Sequence, residues 1–216
     1  MTPDDASTTI EAMCRKAPVI PVLVIEDAAR ARPLAEALVA GGLPVLEVTL
    51  RTPAALDAIR AMAQVPGAIV GAGTLLGPDD VAAAQAAGAV FGVSPGATTR
   101  LLDAAESAGL PLLPGAATAS EIMALYERGY SVQKFFPAEA AGGVPALRAI
   151  AGPIPQVRFC PTGGIGADTA ARWLALGNVL CVGGSWVAPA DLIASGDWAG
   201  ITTLAAQAAT LAPQGR

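Results

Sequence analysis

Eight short apolar runs recur along this chain of 216 residues, at positions 19–25, 45–50, 68–74, 90–95, 110–115, 131–137, 156–162 and 179–184. Most are followed by a Pro, Asp, Thr or Ser start signal and an alanine-rich segment with helical spacing. Those segments span 27–40, 53–64, 78–87, 98–108, 118–128, 144–150 and 168–176. Several close on glycine, at Gly41-Gly42, Gly88, Gly109, Gly129 and Gly177, as helix C-caps do. One run per roughly 20–26 residues is the length of a strand–loop–helix unit. Eight such units in series predict an α/β fold, a (β/α)8 TIM barrel. A short helix over 2–16 precedes it, and one or two helices within 186–216 close it. A doubly wound open sheet is the alternative. It needs a glycine-rich turn after the first strand to hold a dinucleotide, and here Ile25 leads directly into Glu26 and Asp27. No linker or low-complexity stretch divides the chain, so residues 1–216 are expected to form one domain, the barrel and its closing helices occupying 17–216.

Charge and residue usage narrow the chemistry. Net charge is −5, with no basic run and few aromatics, which argues against nucleic-acid binding. No apolar run reaches the ~18 residues of a membrane span. The nearest, 17–25, contains Pro18 and Pro21 and ends at Glu26-Asp27. The opening MTPDDAST lacks the basic region of a secretion signal, so a soluble, cytoplasmic protein is expected. Charged residues make up only 14% of the chain, against the usual quarter or so. That low share points to an outer surface partly covered by other subunits. Cys14, Cys160 and Cys181 are odd in number and have no paired spacing, which favours core thiols over disulfides or a thiolate metal site. The chain has no histidine. That removes Ser-His and Cys-His nucleophile pairs and histidine-ligated zinc or iron. Proton transfer falls to carboxylates, lysine, tyrosine, cysteine or water.

Against that background the sixth run, SVQKFFPAE (131–139), stands out. Lys134 sits in an apolar strand, and the only other lysine is Lys16. Burying an ammonium is costly, and a desolvated lysine gives up its proton more readily and becomes an amine nucleophile. Carbonyl chemistry through a Schiff base is the hypothesis this raises. Val132, Lys134 and Phe136 share a face, so the lysine either lines the barrel or points at the helices.

The second run, VLEVTLR, places Val45, Glu47, Thr49 and Arg51 on one face, with Leu46, Val48 and Leu50 on the other. If the aliphatic face packs on helices, Glu47 and Arg51 point inward. There they are either catalytic partners of Lys134 or an internal ion pair with no chemistry. Arg51 suits a substrate carboxylate. The third run ends GAGT, its glycines allowing a ligand near the backbone and Thr74 offering a hydroxyl. The fourth ends VSPG, where Pro95 is placed to shape a wall. Ordinary turn chemistry is the other reading of both. The seventh and eighth runs end in CPTGGIG and VGGSW. Glycine pairs at these two places fit a phosphate site built from backbone N–H groups and a helix N-terminus, with Ser185 as a further donor. Tight turns alone would also use such glycines. Together these groups describe a metal-free, imine-forming lyase acting on a phosphorylated 2-keto acid.

GGLPVLEVTLRT (41–52), VGAGT (70–74), KFFPAE (134–139), VRFCPTGGI (157–165) and CVGGSW (181–186) resemble the 2-keto-3-deoxy-6-phosphogluconate aldolase family. Its members often also act on 4-hydroxy-2-oxoglutarate. The resemblance covers about 18–189 and implies a class I aldolase on a (β/α)8 barrel, commonly a homotrimer, with no cofactor. It implies Lys134 as the Schiff-base lysine and Glu47 as general acid/base. Arg51 and Thr74 would bind the pyruvate carboxylate, and Gly163, Gly164, Gly184 and Ser185 the phosphate. Pro95 and Phe136 would line the pyruvate pocket, and Thr162 would contact the sugar-derived part. An aldolase for the 6-phosphogalactonate epimer, a non-catalytic phospho-sugar-acid binding barrel and a metal-dependent phosphosugar epimerase are the other readings.

Overall fold

A computed structural model describes residues 1–211. The strands are β1 (Val19–Leu23), β2 (Val45–Thr49), β3 (Ile69–Gly73), β4 (Phe91–Val93), β5 (Leu112–Leu113), β6 (Gly115–Ala116), β7 (Val132–Phe135), β8 (Arg158–Pro161) and β9 (Val182–Gly184). Each of the eight apolar runs holds a strand, and the fifth holds two. Pro114 makes that break. It has no N–H for a ladder, so β5 pairs with β4 while β6 pairs with β7. Its carbonyl still accepts from the Lys134 N–H at 2.8 Å, so the interruption lies beside the singular lysine.

All ladders are parallel. One sheet runs β5-β4-β3-β2-β1-β9 and the other β6-β7-β8. Parallel bridges, Phe159 with Val179 and Thr162 with Gly183, join the β8 segment to that of β9. The helices are α1 (Pro3–Cys14), α2 (Ala31–Ala40), α3 (Ala55–Met62), α4 (Pro78–Ala86), α5 (Thr99–Ala108), α6 (Ala119–Glu127), α7 (Gly143–Ala151), α8 (Ala170–Leu174), α9 (Ala190–Ser195) and α10 (Trp198–Ala209). The expected closing helices are α9 and α10; the remainder of that segment, 212–216, lies outside the described residues. Threonine side chains cap the starts of three helices. Thr2 and Thr118 form capping boxes with Asp5 and Glu121, and Thr98 accepts from the Leu101 N–H. Gly42, Gly88, Gly109 and Gly129 turn the chain left-handed after their helices. Gly177 does not, because α8 ends earlier and is capped by Ala175.

The sheet separates two buried layers. Leu46, Val48, Ala72, Leu112, Phe135 and Phe159 face the helices, in one cluster with residues such as Leu34, Ile59 and Trp173. Ile20, Val45, Phe91, Val93, Leu113, Val132 and Cys160 form a second cluster on the inner face. Ile10 and Cys14 of α1 join it, so the N-terminal helix contributes to the inner core. The three cysteines are free, buried and gathered there. Cys14 and then Cys160 beside it, with burial, push the Cys181 thiol well above its ordinary range, as suits an inert packing group. Among the described residues no helix is long and apolar enough to cross a membrane.

Candidate active site

The alternation of β2 and β7 sets the polar layer above the inner cluster. Val45 and Val132 belong to that cluster, so Glu47 and Lys134, two residues further along, point inward too. They meet there. Lys134 Nζ donates to Glu47 Oε1 at 3.2 Å, with side chains only 5% and 4% exposed. A buried pair of this kind is held by mutual neutralisation, and losing either partner leaves an uncompensated charge. The same amine lies 5.3 Å from the centre of the Phe136 ring.

The internal Glu47–Arg51 ion pair does not form. Lys134 takes the carboxylate, and Arg51, just past β2, is exposed and has no carboxylate partner among the described residues. Its Nε donates to Thr74 Oγ1 at 3.2 Å. Thr74 follows β3 with φ 64°, the one residue other than glycine with a positive φ among those described. For a β-branched side chain that conformation costs about 1–3 kcal/mol. The strain falls where the hydroxyl meets the guanidinium.

The glycines of GAGT have a different use from the one expected. A Cβ on Gly73 would stand 2.3 Å from Glu47 Oε1, and one on Gly71 would run into the Phe91 ring. They make room for inward side chains, and Gly73 specifically for the Glu47 carboxylate.

A cavity of about 190 Å³ opens beside the pair. Arg51, Phe136, Thr162, Gly163, Gly164, Gly184 and Ser185 line it, which brings seven of the eleven anticipated residues together. The Lys134 amine, with Glu47 on it, lies by the Phe136 ring, and Thr74 reaches the cavity through Arg51. Pro95 is not in its wall. Its backbone packs over Gly115, which lies opposite Lys134 in the β6–β7 ladder. Val22, Val24, Ile165 and Gly183 also line the cavity. Val22 and Val24 follow from the same alternation, two and four residues after inward Ile20. Thr162 Oγ1 is buried with no hydrogen-bond partner. Gly163 and Gly164 are left-handed, φ 108° and 78°, a backbone that only glycine adopts readily. The helices after β8 and β9 start at Ala170 and Ala190. The cradle is therefore loop backbone, without the adjoining helix start that was expected. Larger clefts lie near Arg128, near Asp79 and near Arg158; Gly115 lines the first, but none is lined by Arg51, Phe136 or the glycines after β8 and β9. Among the described residues no group of three or more His, Cys, Asp or Glu could hold a metal ion.

A buried lysine with a carboxylate on its amine holds the two groups that imine chemistry needs. The family model for KDPG and KHG aldolase matches residues 10–204. The chain belongs to the KDPG and KHG aldolase family. Among this aldolase's relatives, the KHG/KDPG aldolase of Escherichia coli K12 is 55% identical over 202 residues, covering 93% of this chain and 95% of its own. The 2-keto-3-deoxy-6-phosphogluconate aldolase of Zymomonas mobilis ZM4, solved with 3-phosphoglycerate, superposes with a TM-score of 0.92 at 52% identity, covering 96% of this chain and 98% of its own. The KDPG aldolase of Legionella pneumophila, solved with pyruvate captured at low pH as a covalent carbinolamine, gives 0.90 at 48% identity, covering 93% and 98%.

Proposed function

We propose that this aldolase cleaves 2-keto-3-deoxy-6-phosphogluconate to pyruvate and glyceraldehyde 3-phosphate, and 4-hydroxy-2-oxoglutarate to pyruvate and glyoxylate. The observation that carries the reading is the 3.2 Å contact of Lys134 Nζ with Glu47 Oε1, buried beside a cavity that ends in a glycine cradle. The amine attacks C2 of the keto acid and forms a carbinolamine, the species captured in the Legionella relative. Glu47, the carboxylate at the amine, moves the protons as water leaves and the iminium forms. The C4 hydroxyl then gives up its proton to the Glu47 carboxylate and the C3–C4 bond breaks. Its electrons pass into the iminium to give an enamine, and the aldehyde leaves. Glu47 returns a proton to C3, and hydrolysis releases pyruvate and restores the lysine.

The remaining residues have roles that their places support. Arg51, oriented by Thr74 and without a carboxylate partner among the described residues, takes the pyruvate carboxylate. Phe136, over the amine, and Pro95, across Gly115 from Lys134, bound the pyruvate end. Thr162, with its unpartnered hydroxyl, meets the sugar-derived hydroxyls. Gly163, Gly164, Gly184 and Ser185 offer N–H and O–H groups to the phosphate.

The same proposal takes the chain as one domain, a closed (β/α)8 barrel with the β5–β6 segment as a single strand position interrupted at Pro114. The bridges between the β8 and β9 segments support closure. It also takes the protein as a cytoplasmic homotrimer. Three unpaired thiols suit a reducing compartment. Exposed Leu76, Val90, Met123 and Tyr126 supply apolar surface for neighbouring subunits.

The test is cleavage of the phosphorylated acid in the presence of EDTA. Equal release of pyruvate and glyceraldehyde 3-phosphate is expected. No release, or activity lost to the chelator, contradicts the reading.

A further inference from the structure

Glu139 closes the motif that carries Lys134, and no step of the proposed reaction uses it. Its surroundings give it another task. Its backbone N–H donates to the carbonyl of Gly163 at 3.1 Å, and the N–H of Ala138 donates to that of Thr162 at 2.8 Å. These two bonds tie the turn after β7 to the glycine loop after β8. The Glu139 side chain reaches Trp173, whose Nε1 donates to its Oε1 at 2.9 Å. Trp173, on α8, is fully buried and packs its ring on Phe135, with centroids 6.3 Å apart. A buried indole N–H without an acceptor is costly. Glu139 supplies that acceptor, and the indole in return fixes an otherwise exposed side chain.

The stem of Glu139 then forms the floor of the loop. A Cβ on Gly164 would stand 2.9 Å from both Cβ and Cγ of Glu139. The glycine backbone therefore rests directly on the stem, with no side chain between them. A carboxylate repels a phosphate, so Glu139 is no ligand for one; its effect passes through the backbone it supports. The Lys134–Glu47 pair is held by other elements, β2, β3 and β7.

We infer that Trp173 and Glu139 form a strut that holds the Gly163-Gly164 loop in place for the substrate phosphate. They are positioning residues for the phosphorylated end of the substrate, not for the amine chemistry. This inference rests on the phosphate site proposed above. It separates two properties that the reaction normally combines, recognition of the phosphate and formation of the enamine.

Two readouts on the same full-length preparations test it. One is steady-state cleavage of 2-keto-3-deoxy-6-phosphogluconate. The other is exchange of pyruvate methyl protons with deuterium oxide, which needs Lys134 and Glu47 but no phosphate. Glu139→Ala is expected to raise KM for the phosphorylated acid roughly 10- to 100-fold, as displaced binding groups do. Proton exchange should stay within about twofold of wild type, because enamine formation is untouched. Trp173→Phe, which keeps a ring and loses the donor, should behave in the same way. Glu139→Gln keeps an acceptor for the indole and should restore a KM within about threefold of wild type. Equal loss of both activities in Glu139→Ala and Trp173→Phe, or an unaltered KM in both, overturns the strut. Wild-type enzyme that exchanges no pyruvate protons overturns the Schiff-base reading instead. Wild-type enzyme that exchanges them but does not cleave the phosphorylated acid overturns the phosphate site.

Discussion

The Glu47 carboxylate fills the space that a side chain at position 73 would need, since a Cβ there would stand 2.3 Å from Oε1. β3 lies alongside β2 with Gly73 opposite Thr49, so neither backbone can move aside without breaking the ladder. Gly73→Ala must push the carboxylate off Lys134. We expect kcat to fall by about 100-fold or more, because a misplaced proton carrier is costly. Stability should fall by about 1–3 kcal/mol from overpacking. Steady-state kinetics beside a thermal melt checks this, and a near-wild-type kcat contradicts it.

Thr74 gives the opposite balance. Its left-handed backbone is strained by about 1–3 kcal/mol, whereas glycine costs about 0.5–1 kcal/mol in unfolded-chain entropy. Thr74→Gly is therefore expected to melt no lower than wild type. It also takes Oγ1 from Arg51 Nε. Losing a hydrogen bond of about 1 kcal/mol should raise KM roughly fivefold. A lower melting temperature with unchanged KM would show that Thr74 serves packing alone.

Acid should affect the start of α6. The Ala117 N–H, and then the Thr118 hydroxyl and N–H, hold the Glu121 carboxyl below its ordinary value of 4.5. A depressed folded-state value contributes stability above the ordinary value, and that stability is lost as pH falls through the folded one. At pH 7, Glu121→Gln should be less stable by at most about 1 kcal/mol, because the group is largely solvent-screened. As pH falls below that lowered value the two proteins should come to melt alike. Melts from pH 2 to 7 check this. A gap that is the same at both ends contradicts it.

Much of this was legible in the chain because period and position carry it. The apolar runs located every strand, and alternation put Glu47 with Arg51 on one face of its strand and Lys134 with Phe136 on one face of theirs; that the lysine's face is the inner one follows from Val132 in the inner cluster. Partnership across space was not legible. Glu47 had two cations to choose from, and only the closeness of β2 and β7 gives it to Lys134. Nor does GAGT state whether its glycines admit a ligand or another residue's carboxylate. Pro114 did carry a signal, since a proline without an N–H interrupts a ladder, yet the surrounding leucines read as one strand. The left-handed Thr74 had none, because threonine normally avoids that conformation. The gathering of Cys14, Cys160 and Cys181 depends on α1 packing at the inner cluster, which no spacing reveals.

Lys134 is the amine on which the whole chemistry with the keto acid depends. Reduction with borohydride in the presence of pyruvate, followed by intact mass and peptide mapping, tests this most directly. One adduct per chain is predicted, on the peptide carrying Lys134, and none in Lys134→Ala. An adduct on Lys16, or no adduct on the wild-type chain, would contradict it.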